Sequence, residues 1–164
     1  MRIDDTIRYD AAPAQVAAML ADRAFIDVKC ELMGSLEHDA QVQGDAAGEF
    51  TVTSTRTLPT DGFPDVARKF VGATIMIKQV DHWQAPAADG SREGTVTMKI
   101  VGQPVNLQGA WTLRPDGNGS IQTMKGDLKA SVPLLGGKLE KAAEPAIRAA
   151  LRKEQEAGRT YLAG

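Results

Sequence analysis

The sequence predicts an α+β fold in which a curved antiparallel sheet of about seven strands wraps around one long C-terminal helix. Apolar and small side chains recur at Leu139, Ala142, Ala143, Ala146, Ile147, Ala150, Leu151 and Tyr161-Leu162, one face of an amphipathic helix from Lys138 to Gly164. Most of the chain before it consists of strand-like segments separated by turn residues. Two short helical patterns directly after the first strand complete the order. The space between such a sheet and its helix is where a small molecule could sit.

Arg2 to Tyr9 alternates with Ile3, Ile7 and Tyr9 in one phase, as a half-buried strand does. Pro13 suits the first turn of a helix whose stripe is Val16, Met19 and Leu20. Asp22 is placed to cap a second helix through Phe25, Ile26 and Lys29. Strand character follows at about Ser35 to Gln43, Gly48 to Leu58, Gly72 to Trp83, Glu93 to Val101, Val105 to Leu113 and Ser120 to Val132. The connection from Pro59 to Phe70 is expected to hold a helical turn beginning near Pro64. In the long helix, Pro145 has no N–H for the Lys141 carbonyl. Either the helix bends there or the main helix begins there, where proline is tolerated.

A chain of 164 residues with 43% hydrophobic content is sized for a single domain over residues 1–164. The net charge of −2 provides no general attraction to nucleic acid, so no nucleic-acid partner is expected. The opening residues lack an apolar signal segment and no apolar run nears the roughly 18 residues of a membrane span, which points to a cytoplasmic protein. Cys30 is the one cysteine, so no disulfide closes within the chain. No cofactor or metal motif appears: His38 and His82 are far apart, and Gly136-Gly137 lacks the rest of a phosphate loop.

Several segments carry a resemblance. The order strand, two helices, six strands and long helix, with Ala12 to Asp22 as the opening helix, resembles the START-like (SRPBCC) superfamily, and a second resemblance is carried by Phe63 to Gly72, His82-Trp83 and Val132 to Glu140. That superfamily includes lipid-transfer domains, pollen-allergen-like proteins and polyketide cyclases. The wording of the last three segments is similar to an actinobacterial subfamily known only as a domain of unknown function. The resemblance implies a helix-grip fold over nearly the whole chain. It leaves activity open, because one fold hosts many functions.

If the apolar phase of each strand points inward, the concave face receives Leu36, His38, Ala40 and Val42, then Phe50, Val52, Ser54 and Arg56. Ile75, Ile77, Gln79, Asp81 and Trp83 follow, then Val96, Met98 and Ile100. Val105, Leu107, Gly109, Trp111 and Leu113 complete it. Asp5 falls in the same phase. A mostly apolar pocket with a few convergent polar groups is the usual form of a ligand site. The candidate ligand-binding residues are therefore His38, Ser54, Arg56, Ile77, Gln79, Asp81, Met98, Leu107 and Trp111, with Ala146 from the helix. Arg56 offers a planar donor fork to a ligand carboxylate with Asp81 orienting it, or else the two form an internal salt bridge.

The expected function is a non-enzymatic binder or carrier of an apolar or amphipathic small molecule, acting as a monomer or weak homodimer. One alternative is a cyclase- or hydrolase-type enzyme using His38, Asp5 or Asp81 as acid or base. A second is a chaperone-cofactor or interaction domain with a filled core.

Overall fold

The computed structural model describes residues 1–164. Its elements are β1 (Arg2–Tyr9), α1 (Pro13–Leu20), α2 (Arg23–Leu32), β2 (Glu37–Gly44), β3 (Phe50–Pro59), α3 (Asp65–Val71), β4 (Thr74–Trp83), β5 (Arg92–Ile100), β6 (Val105–Asp116), β7 (Gly119–Ala130) and α4 (Gly136–Ala163). All neighbouring strands are antiparallel, in the order β1-β7-β6-β5-β4-β3-β2. The α+β helix-grip architecture expected from the element order is the one observed. No helix is long and apolar enough to cross a membrane.

Local chemistry sets the two short helices. Pro13 opens α1, where its missing N–H costs nothing. The Asp22 carboxylate accepts the Ala24 N–H at 2.9 Å and caps α2. The same carboxylate accepts the Tyr161 hydroxyl, and the Tyr161 ring meets Phe25 edge-on with centroids 5.9 Å apart. One aspartate thus starts α2 and fastens the far end of α4 to it.

Helix α4 runs 28 residues, about 42 Å at 1.5 Å per residue. It is continuous through Pro145 and begins at Gly136, which overturns the alternative that the main helix starts at the proline. Asp5 on β1 ties it to the sheet edge, receiving Arg152 Nη2 at 2.8 Å and Arg148 Nη1 at 3.4 Å. Further along, Gly158 lies against the Tyr9 ring so closely that an added Cβ would stand 2.2 Å from Tyr9 Cε1. Buried Leu139, Leu151 and Ala157 complete the contact face.

Three details differ from the sequence reading. Leu36 is 61% exposed rather than inward, because pairing starts at Glu37 opposite Thr57 and the pleat does not govern the residue before it. Strand β6 extends through Pro115 to Asp116, since the hairpin closes on Gly117-Asn118 alone and Asp116 pairs Gly119. Strand β7 stops at Ala130, and Val132 belongs to the connection into α4.

Candidate ligand-binding site

Register turns the alternation of single strands into rows across the sheet. Arg56, Ile77 and Ile100 stand opposite one another on β3, β4 and β5. The next row is Ser54, Gln79, Met98, Leu107 and Leu128. Then come Val52, Asp81 and Val96, and finally Phe50, Trp83, Gly94, Trp111 and Met124. Because paired residues point to the same face, the rows change along the strands from aliphatic, to polar, to aromatic.

Over the aliphatic rows lies a cavity of about 330 Å³. Its floor includes Ile75, Ile77, Met98, Ile100 and Leu107, and α4 roofs it with Ala143, Ala146, Ile147, Ala149 and Ala150. The alanines leave the space: α4 is held over the sheet by its contacts elsewhere, and their short side chains do not fill the gap beneath it. Leu32 and Met33 at the end of α2, with Phe63, close one side. Of the 22 residues of the wall, 16 are hydrophobic. The ionisable members are Arg56, Lys99 and Lys153, all cations.

Behind the cavity the polar row forms a bonded chain. Trp111 Nε1 donates to Asp81 Oδ1 at 2.7 Å. Gln79 Nε2 donates to both Asp81 oxygens at 3.1 and 2.9 Å, and Gln79 Oε1 accepts Arg56 Nη1 at 3.1 Å. Arg56 and Asp81 are therefore separated by an amide, and the expected direct salt bridge is replaced by this relay. Burial pushes the Arg56 guanidinium below its ordinary pKa, only partly opposed by Cys30, Asp81 and Glu154. Burial also pushes the Cys30 thiol up, which suits an inert core thiol rather than a nucleophile.

A second buried polar group adjoins this chain. Lys29 on α2 and Glu154 on α4 approach to 3.7 Å, and with Asp81, Trp111 and Gln122 they surround a void of about 10 Å³, roughly the space of one water. Burial drives the Glu154 carboxyl above its usual range, with Lys29 opposing, Asp81 reinforcing, and Arg56 and Gln122 opposing. Tyr9 is also pushed up, by burial and then by Glu154.

Of the residues nominated from sequence, Arg56, Ile77, Met98, Leu107 and Ala146 stand on the cavity wall. Ser54, Gln79, Asp81 and Trp111 are buried beside it in the polar and aromatic rows. His38 is elsewhere: α2 covers it, its Nε2 lies 2.9 Å from Asp27 Oδ1 and its Nδ1 3.4 Å from Ser35 Oγ. The His38 bond in turn holds Asp27 below the usual carboxylate range. His82 contacts Thr51 and Glu49 at the surface side of β4. No group of three or more His, Cys, Asp or Glu side chains is placed to hold a metal.

The sequence reading missed Lys29, Gln122, Glu154 and Tyr9 as one polar centre. A signal existed for two of them. Lys29 falls on the stripe of Phe25, Ile26 and Cys30, and Glu154 on that of Leu151 and Ala157, where a charge demands a partner.

Comparison with known proteins agrees with this architecture. The family described as protein of unknown function (DUF2505) matches residues 4–162. An uncharacterized protein of Mycobacterium tuberculosis is 26% identical over 105 residues, covering 62% of this chain and 60% of that protein. The match thus spans about 60% of the length of such relatives. Among solved structures, a STAR-related lipid transfer protein from Xanthomonas axonopodis has a TM-score of 0.61 at 19% identity, covering 99% of this chain and 86% of that one. The Zhui aromatase/cyclase from Streptomyces sp. R1128 has a TM-score of 0.53 at 16% identity, covering 96% and 93%. At these identities the likeness establishes the fold alone, the helix-grip fold that the element order predicts.

Proposed function

We propose that this chain, which belongs to the DUF2505 family of proteins of unknown function, is a non-enzymatic binder or carrier of a lipid-like or other apolar small molecule held between its sheet and α4. The observation that carries this reading is the cavity of about 330 Å³ with 16 apolar residues among 22 in its wall. Burying an apolar ligand there is worth about 25 cal/mol per Å² removed from water. The volume lies near the lower end of the roughly 300–1,000 Å³ typical of small-molecule sites, so one acyl chain or a compact ring system suits it better than a two-chain lipid.

The chemistry of the wall favours a binder over an enzyme. Its ionisable groups are one arginine and two lysines, with no carboxylate or imidazole to move a proton near neutral pH. Asp5, His38 and Asp81, the acid–base candidates, are engaged by Arg152, Asp27 and Trp111 respectively. Neighbours named for lipid transfer and for an aromatase/cyclase add support for a small-molecule ligand.

Native mass spectrometry tests the reading. Protein stripped of bound molecules is exposed to fatty acids, fatty alcohols, sterols and aromatic polyketides, and a one-to-one adduct with at least one class is expected. Failure of every class to form an adduct would sink the proposal.

A further inference from the structure

We infer that the ligand carries an anionic carboxylate head, and that Arg56 is its anchor inside the apolar cavity. This rests on the reading of the protein as a small-molecule binder and names the class of molecule bound. Arg56 is 2% exposed and forms part of the cavity wall. Its one side-chain hydrogen bond runs from Nη1 to Gln79 Oε1, a neutral acceptor, and its buried Nε has no partner. A guanidinium out of water is costly unless matched by an anion or a full set of acceptors, and Arg56 has neither.

The nearby carboxylates do not supply the match. Asp81 is occupied by Trp111 Nε1 and by the Gln79 amide nitrogen, and Glu154 leans on Lys29. Gln79 therefore fixes the position of Arg56 without neutralising it. The Nε and Nη2 edge keeps the two parallel N–H groups that a carboxylate accepts in bidentate fashion. Arg56 is the one buried charge of the wall: Lys99 is exposed on the outward phase of β5 between Met98 and Ile100, and Lys153 is exposed and pairs with Glu156 at 3.5 Å. An apolar cavity whose one buried charge is positive selects an apolar body with an acidic end. Phosphate can also accept both prongs of the fork, but its larger and more highly charged head costs more to bring out of water into an apolar cavity, and the test separates the two.

Binding of decanoic acid, decanol and decyl phosphate to the whole protein is measured near neutral pH by calorimetry. Decanoate is expected to bind the wild type about 10- to 100-fold more tightly than decanol and more tightly than decyl phosphate. Arg56→Met is expected to remove that advantage, and far-UV circular dichroism with thermal unfolding reports that the variant is folded. Arg56→Lys, which keeps the charge but loses the fork, is expected to retain part of the preference. Equal affinity of the wild type for acid and alcohol would overturn the anchor and leave the binder reading standing. A preference for the phosphate would overturn the carboxylate assignment. If none of the three binds while a sterol or an aromatic polyketide does, the anchor falls and the binder reading stands; if those fail as well, both fall.

Discussion

Lys29 Nζ and Glu154 Oε1 face each other across the core at 3.7 Å, longer than a hydrogen bond. The contact offsets only part of the cost of burying the carboxylate, which is why burial dominates and the Glu154 pKa rises above its ordinary 4.5. An acid whose folded pKa is raised keeps its proton longer in the native state than in the unfolded chain. Its contribution to stability is full below the unfolded value and declines as pH rises through the folded one.

Glu154→Gln removes this dependence. Lys29, Arg56, Asp81 and Gln122 face the position in both proteins. Urea unfolding across pH is expected to show wild-type stability falling relative to the variant as pH rises above 4.5. Parallel curves would contradict the raised pKa.

The contact between Tyr9 and Gly158 separates packing from polarity at one place. A Cβ at Gly158 would stand 2.2 Å from Tyr9 Cε1, so Gly158→Ala forces the ring or helix to shift and is expected to cost about 1–3 kcal/mol. Tyr9→Phe keeps the ring and removes a buried hydroxyl without a partner. It is expected to be neutral or to stabilise by about 1 kcal/mol, and thermal unfolding of the two variants checks both signs.

Gln79 is the spacer between Arg56 and Asp81. Gln79→Leu conserves approximate size but strips one bond from the arginine and two contacts from the aspartate. A loss of about 1–3 kcal/mol in chemical denaturation is expected from the polar groups left unpaired. A neutral result would show that Arg56 and Asp81 can meet directly once the amide is gone.

Ala146 on the roof of the cavity gives a test of volume. Ala146→Leu is expected to fill space and weaken decanoate about tenfold or more, with stability changed by no more than about 0.5 kcal/mol. A tightly packed helix would instead be overpacked by about 1–3 kcal/mol. A large loss of stability with unchanged binding would reject the cavity as the ligand site.

The sequence alone determined the element order and the face that each strand turns inward. Alternation placed Arg56, Ile77, Met98 and Leu107 on the concave side, and helical spacing placed Ala146 opposite them, because both periods are properties of the local backbone. Tertiary structure decided which of those residues meet. Register set Gln79 between Arg56 and Asp81 in the bonding pattern, and the path of α2 laid Asp27 over His38 and drew it from the cavity. The convergence of Lys29 and Glu154 depends on how two helices lie over the same sheet. Periodicity reports the side on which a residue stands, whereas distances between elements arise only when the chain is closed into one body.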